Sequence, residues 1–256
     1  MLQAHSFLWN YLWVAPDLLL LTVGLILWKR LSRQVPVFLA FAILASLADL
    51  AVFVADIAPA VSAVNFWRVD WACLLLESLL KFALIGEIFS RVFNQYPSIS
   101  RLGRVLISGA GAALVLLAGV IAGFSHGDTS IRIISGVHLL EQTVFIIELG
   151  LILFLFLFAA YFHLSWDRMS FGVLLGLGIT ACEHLATWAV IANTTPSEHT
   201  RLLFGFLNMA TYHVCVLVWF YYLLVPQKAA ARKAVLPLPG NNLEIWNREL
   251  ERLLQQ

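Results

Sequence analysis

The chain has 256 residues, of which 61% are hydrophobic and only 12% are charged. Soluble domains usually carry about 25% charged residues. This composition therefore indicates an integral membrane protein, and its expected partner is the lipid bilayer in which it lies. The net charge of +1 gives no reason to expect a nucleic-acid partner.

Apolar runs of about 20 residues, each long enough to cross a bilayer, follow one another along most of the chain. They predict an all-α membrane domain over residues 1–226. We place seven spans at about 11–29, 35–57, 71–91, 105–124, 135–162, 170–192 and 202–225.

The distribution of basic residues predicts the orientation of these spans. With the amino terminus outside, the outer side holds only Arg68, Arg132 and Arg201. Every other Lys and Arg, apart from Lys81 within the third span, falls on the inner side. Because cytoplasmic loops carry an excess of Lys and Arg, we expect a cytoplasmic carboxyl terminus and a multi-pass protein of the cytoplasmic membrane.

The third span carries charges that an apolar helix would not need. Glu77 and Lys81 lie four residues apart, which places them on one helix face in the favourable order for an ion pair. An ionisable side chain at bilayer depth costs a few kcal/mol or more unless it is paired, neutralised or hydrated. This pair therefore predicts a functional site inside the bundle.

Counting residues from the outer end of each span places several polar side chains at one depth. At about 1.5 Å per residue, they lie roughly 9–17 Å below the outer surface. We predict a layer of candidate ligand- or proton-binding residues: Asp49, Glu77, Lys81, Glu141, Glu183, His184 and His213. Glu148 shares a face with Glu141 but lies deeper, and Glu87 belongs to the cytoplasmic half.

This layer holds more carboxyl groups than cations. In a low-dielectric bundle the excess must be protonated, hydrated or coordinated to a cation. The three outcomes predict proton binding, a wet ligand pocket, or a metal site formed by Glu77, Glu141, Glu183, His184 and His213. A purely structural role, in which the pairs fix helix register, is a fourth interpretation.

Enzyme signatures are missing from the sequence. It has no HExxH motif, no GxSxG motif and no repeated Glu-x-x-His pair of the di-iron bundles. An enzymatic role is therefore disfavoured, although an intramembrane metal- or haem-binding protein stays open as an alternative.

Small residues predict close helix packing at two places. The fourth span ends in Gly119-x-x-x-Gly123, and the sixth opens with Gly172-x-x-x-Gly176. Glycines at this spacing let two helix backbones approach each other closely.

A cytoplasmic tail over residues 227–256 follows the last span. An amphipathic helix is predicted over residues 243–254, where Leu243, Trp246, Leu250 and Leu253 repeat as an apolar stripe. A helix this short is marginal alone. We expect it to dock on a cytoplasmic partner, a second copy of the chain, or the membrane surface.

Seven spans with the amino terminus outside resemble the topology of the microbial rhodopsins and other seven-helix receptors. The resemblance implies a chromophore on a lysine of the last span, but that span contains no lysine and the only intramembrane lysine is Lys81. Retinal is therefore not expected, and the sequence does not identify another cofactor.

We conclude from the sequence that a receptor or sensor is the leading hypothesis, with a polar pocket in its outer half and a cytoplasmic docking helix. A proton- or cation-coupled transporter or channel is the main alternative. A scaffolding subunit of a membrane complex is a further alternative.

Overall fold

The computed structural model describes residues 6–93, 99, 101, 103, 105, 107–113, 116, 120, 130–161, 164, 166–193, 197–225 and 252, without the side chains of 130–140, 192 and 193. Regular structure in this part of the chain is entirely helical. The helices are α1 (Phe7–Ile26), α2 (Trp28–Gln34), α3 (Pro36–Ile57), α4 (Ala63–Val92), α5 (Ser130–Tyr161), α6 (Arg168–Asn193) and α7 (Glu198–Leu224).

The six long helices form a closed ring. Each packs against the next in the order α1, α3, α4, α5, α6 and α7, and α7 returns to α1. The short helix α2 packs against α3 and α1. Side chains that face the centre of this ring are brought together from helices distant in sequence.

Contacts at the two ends of the ring show the direction of each helix. We call the end at which α1 begins the upper end. Trp9 there contacts Phe206 near the start of α7, with ring centroids 5.2 Å apart. At the lower end, Phe93 after α4 contacts Phe158 of α5. The helices α4 and α5 therefore run side by side in the same direction, from the upper to the lower end.

Parallel neighbours require the chain between them to return to the upper end. The described residues between 99 and 120 are helical and pack on the outside of α4. Gly103 lies against Phe89, and Ile107 lies against Gly86 one turn higher. Residues 103 and 107 therefore meet α4 in antiparallel order. Most of residues 114–129, where the fourth span was predicted, lies outside the described residues.

Five stretches are long and apolar enough to cross a membrane: Phe7–Ile26, Pro36–Ile57, Glu141–Tyr161, Arg168–Ile191 and Glu198–Leu224. The 30-residue α4 is about 45 Å long, but Glu77, Lys81 and Glu87 interrupt its apolar character. Large apolar side chains point away from the ring, such as Leu157, which is 70% exposed. These features are those of a membrane protein, since only lipid would cover such a surface favourably.

Helix ends depart from the predicted spans because capping residues, rather than hydrophobicity, fix where a helix begins. Ser62 accepts a hydrogen bond from the backbone N–H of Asn65, so α4 starts eight residues before the predicted third span. Ser197 caps α7 and Asp167 caps the first turn of α6 in the same way. A capping side chain satisfies N–H groups that the first helical turn leaves without partners.

The predicted first span is divided into two helices. The first of them, α1, ends at Ile26. The basic residues predicted for the inner end of the span lie on α2 instead. Arg30 of α2 donates a hydrogen bond to the carbonyl oxygen of Leu223 at 3.0 Å. A cation at the carboxyl end of α7 complements the helix dipole there and ties α2 to the lower end of the ring.

Glycine packing in the sixth span, predicted from Gly172 and Gly176, joins α6 to α7. A Cβ atom on Gly176 would overlap the indole of Trp219, and one on Gly172 would overlap the ring of Tyr222. The Trp219 indole N–H donates to the carbonyl oxygen of Val173 at 3.1 Å. The other predicted glycine pair, Gly119 and Gly123, lies outside the described residues.

Candidate functional site

Lys81 of α4 lies at the centre of the first polar cluster and is only 7% exposed. Its Nζ atom is 3.0 Å from Oε1 of Glu77, the predicted partner four residues earlier. It is also 3.9 Å from Oε2 of Glu148 on α5. One buried ammonium group is thus shared unequally between two carboxyl groups on neighbouring helices.

Glu148 is the most enclosed member of this cluster. Its side chain has no exposed surface, and neither of its carboxyl oxygens has a hydrogen-bond partner among the described residues. Burying an unsatisfied carboxylate is costly. Glu148 is therefore available to accept a closer interaction from Lys81 or to hold a proton.

His184 of α6 is the centre of a second cluster. Its Nδ1 atom lies 3.1 Å from the carbonyl oxygen of Thr180 and 3.4 Å from Oε2 of Glu183. Its Nε2 atom lies 3.8 Å from Oε1 of Glu141 on α5. Both ring nitrogens therefore lie near oxygen atoms that can accept a hydrogen bond.

Glu183 is held in place from two helices. Thr187 donates its hydroxyl to Oε1 of Glu183 at 2.8 Å. With its amide nitrogen turned towards the carboxylate, Asn208 of α7 donates to both oxygens of Glu183, an orientation chosen by hydrogen bonding. Donors from α6 and α7 therefore fix the position of this carboxylate.

Phe145 of α5 connects the two clusters. The His184 ring stacks on it with centroids 4.2 Å apart, and Lys81 Nζ lies 5.0 Å from its centroid. A cation near an aromatic face is stabilised by the ring quadrupole. A change in the charge of His184 or in the position of Lys81 would thus alter the contacts of the same buried ring, that of Phe145.

A third group of acids lies on the other side of Glu77. Asp17 of α1 is buried and accepts a hydrogen bond from the Tyr212 hydroxyl of α7 at 2.9 Å. Asp49 of α3 is half-buried and close enough to Asp17, Glu77 and Lys81 to interact with each electrostatically. The polar layer therefore receives side chains from all six helices of the ring.

Asp17 and Glu148 are site residues that the sequence reasoning missed. Asp17 was not among the predicted residues of the layer, but α1, which begins at Phe7, buries it. Glu148 was judged too deep, but the Lys81 side chain reaches down to it. Two features of the sequence could have identified Glu148 as a site residue. It is an isolated carboxylate in an apolar run, and it follows Glu141 by seven residues.

His213 is the predicted candidate that joins neither cluster. Its imidazole lies beside Tyr11 of α1, with ring centroids 5.8 Å apart. The described part of the chain contains no group of three His, Cys, Asp or Glu residues arranged to hold a metal ion. The predicted set of Glu77, Glu141, Glu183, His184 and His213 is therefore not assembled into one ligand shell.

The predicted docking residues of the tail, Leu243, Trp246, Leu250 and Leu253, lie outside the described residues, where only Arg252 of the tail is described. The assembled candidate site is thus the intramembrane layer. Its carboxyl groups are Asp17, Asp49, Glu77, Glu141, Glu148 and Glu183, and its nitrogen-bearing groups are the Lys81 ammonium and the His184 imidazole.

Comparison with protein-family models, with curated proteins and with solved structures finds no match for this chain.

Proposed function

We propose that this chain is a seven-helix receptor or sensor of the cytoplasmic membrane, whose polar interior binds a ligand or protons. The observation that carries the proposal is the contrast between the two halves of the ring. Polar groups occupy its upper and middle levels, while the lower interior is closed by fully buried apolar side chains that include Phe38, Ile88, Leu155 and Trp219.

The seven-span topology belongs to this proposal. The parallel directions of α4 and α5 support a crossing between them, and so does the antiparallel order in which residues 103 and 107 pack on α4. The excess of Lys and Arg on one side favours an external upper end and a cytoplasmic carboxyl terminus. The polar layer would then open towards the outside.

The shared ammonium group supplies a mechanism for sensing. When a cationic ligand binds Glu77, Lys81 loses its partner at 3.0 Å, and Glu148 at 3.9 Å becomes its nearest anion. When the buried Glu148 takes up a proton instead, Lys81 loses that second anion. Moving Lys81 by about 1 Å would complete a charge-assisted hydrogen bond to α5. Occupancy of the upper site would thereby change the coupling of α4 to α5.

Hydrogen exchange in lipid nanodiscs tests this mechanism through Glu148→Gln. Because an amide attracts the Lys81 ammonium much less than a carboxylate does, we expect the substitution to abolish any response of α4 and α5. In the wild-type protein, lowering the pH from 7.5 to 5.5 should change the protection of these helices by about tenfold after correction for intrinsic exchange rates.

Glu87→Gln is the matched control for this experiment. Glu87 lies on the same helix as Lys81, but at the lower end, where it accepts a hydrogen bond from the backbone N–H of Val37. A glutamine retains an oxygen for that bond, so the wild-type response should persist. A response that survives Glu148→Gln would contradict the mechanism.

A transporter is the second candidate, favoured by the depth of Glu148 within the ring. It needs a polar route from Glu148 to the lower end, but Glu87 is already engaged by Val37 and by Arg91 at 3.3 Å. A proton flux into sealed liposomes that disappears in Glu148→Gln would replace the sensor proposal by this one.

The tail is proposed to pass the signal to a cytoplasmic partner or to a second copy of the chain. Truncating Trp246, the largest side chain of the predicted apolar stripe, should abolish that association, because aromatic anchors dominate small interfaces. Trp246→Ala should leave thermal unfolding of the bundle unchanged. Crosslinking in membranes followed by mass analysis checks this, and unchanged crosslinked species would contradict the docking role.

A further inference from the structure

A groove on the outer surface of α5 and α6 is a feature that the sensing mechanism above does not use. Its volume is about 610 Å³, which lies within the range of about 300–1,000 Å³ typical of small-molecule sites. Leu153 on its rim is 50% exposed, and Cys182 is exposed as well. Ile152 and Leu174 are buried and form its floor. The groove therefore opens away from the ring and towards lipid.

The groove follows α6 downwards from Glu183 to Leu174, a rise of about 14 Å. Gly178, halfway along this stretch, adds no side chain to the groove, and a Cβ atom there would lie 3.7 Å from Cγ2 of Ile152. The other lining residues of α5 and of this part of α6 are apolar, apart from the Cys182 thiol. This shape and lining suit an alkyl chain that lies along the helix.

Glu183 supplies the charge at the upper end of this groove, and its side chain is 12% exposed. The two side chains that donate hydrogen bonds to its carboxylate, Thr187 and Asn208, are both neutral. Among the described residues, its ion-pair partner is the imidazole of His184 and no Lys or Arg. Thr211, one turn below Asn208 on α7, adds a hydroxyl group to the lining. An apolar groove thus ends at a carboxylate that no Lys or Arg of the described chain neutralises.

The carboxylate, rather than the apolar lining, decides which ligand the groove selects. Lipid tails are as apolar as leucine, so an alkyl chain gains little by leaving lipid for the groove. A pair of opposite charges attracts much more strongly where water is excluded than it does in solution, and this attraction offsets part of the cost of burying each charge. A chain with a cationic head group is therefore favoured over a neutral chain of the same length.

The depth of Glu183 selects the kind of cation. It lies ten residues before the upper end of α6 at Asn193, or about 15 Å deep, whereas the amine of a bilayer phospholipid stays at the level of the head groups. A metal ion needs several ligands, and the described residues hold no such set. The uncharged form of a single-chain amine crosses lipid, and its nitrogen can take the proton of a protonated Glu183, because an amine is a stronger base than a carboxylate.

We propose that the groove on α5 and α6 binds a long-chain alkylamine from the membrane, with its ammonium group on Glu183 and its chain beside Gly178 and Leu175. This site is independent of the proposed sensor mechanism, since it requires neither Lys81 nor Glu148. It gives the polar layer a lateral entrance from lipid, in addition to its upper end.

Photocrosslinking of the full chain in phosphatidylcholine nanodiscs tests this proposal. The probe is dodecylammonium with a diazirine at the far end of its chain, and mass analysis of peptides locates the labelled residues. We expect saturable labelling around Phe156 and Leu175, in the lower part of the groove. Excess dodecylammonium should displace the probe, whereas dodecanol, which has the same chain without the charge, should not.

Glu183→Gln should reduce the saturable labelling by at least about tenfold, because the charge-assisted hydrogen bond to the head group is lost. Glu87→Gln removes a carboxylate that lines a different groove, on α4, and should be labelled like the wild type. Cys182→Phe keeps the charge but fills the groove from an exposed position, so it should also reduce the labelling. Val190→Phe, at another exposed position of α6, should not.

Three results would each overturn the proposal: equal displacement by dodecanol, undiminished labelling in Glu183→Gln or Cys182→Phe, and labelling that does not saturate. The pH-dependent hydrogen exchange described above tests the sensor mechanism separately. If the groove is labelled as expected but α4 and α5 do not respond to pH, the amine site stands and the sensor mechanism is wrong. If the helices respond but the groove is not labelled, the reverse holds.

Discussion

Lys81→Met is expected to destabilise the bundle more than any other single change to its polar layer. The substitution keeps an apolar stem but leaves Glu77 and the fully buried Glu148 without their cation. Breaking a buried ion pair by removing one partner typically costs about 3–5 kcal/mol of unfolding free energy. Unfolding by a denaturing detergent, monitored by circular dichroism, measures this loss.

Two further variants show whether the loss arises from uncompensated charge. Arg91→Met removes the cation of the other ion pair spaced by four residues on α4, but the Arg91 side chain is 31% exposed. The cost should therefore stay within about 1 kcal/mol. The triple variant Lys81→Met, Glu77→Gln, Glu148→Gln should recover much of the stability, since no buried charge remains unpaired. Equal losses in Lys81→Met and Arg91→Met, or no recovery in the triple variant, would contradict this account.

The helical architecture was predictable because bilayer thickness imposes one length on every apolar run. The predicted spans 35–57 and 170–192 agree closely with α3 and α6. Their ends were less predictable where a single capping side chain extends a helix into polar sequence, as Ser62 does for α4. The apolar run in a sequence predicts which residues lie in lipid. The capping residue instead determines where the backbone hydrogen bonds of the helix begin.

The depth of the polar side chains was predictable from the sequence, but the direction in which each side chain points was not. Glu77 and Lys81 meet because their spacing within one helix decides it, and Glu141 meets His184 across two helices as their common depth suggested. His213 shares that depth but contacts Tyr11 instead. Depth follows from counting residues, but the rotation of each helix about its axis is set by packing against its neighbours.

Adjacent residues on one helix can still serve one cluster. Adjacent residues such as Glu183 and His184 leave a helix about 100° apart. Their side chains nonetheless meet at 3.4 Å, because Thr187 and Asn208 hold the Glu183 carboxylate while Thr180 accepts from the His184 ring. Such convergence depends on side-chain partners from two helices and has no simple sequence signal.

The packing that fixes the rotation of α6 and α7 gives the second large prediction, which is a destabilised bundle in Gly176→Ala. A Cβ atom at residue 176 would overlap the Trp219 indole, which is 1% exposed and hydrogen-bonded to Val173. Moving the indole aside would break that hydrogen bond and disturb its buried packing. Overpacking of this kind costs about 1–3 kcal/mol, and detergent-induced unfolding should show it.

Gly178→Ala is the matched control, two residues along the same helix. Its new Cβ atom would meet Cγ2 of Ile152 at 3.7 Å, an ordinary van der Waals distance, while alanine is favoured over glycine within a helix by about 1 kcal/mol. We therefore expect opposite signs from the same chemical change, a loss of stability at 176 and no loss at 178. If both variants were stabilised equally, the α6–α7 contact would not be the close packing that orients Glu183 and Asn208 towards each other, and the geometry of the second cluster would need another cause.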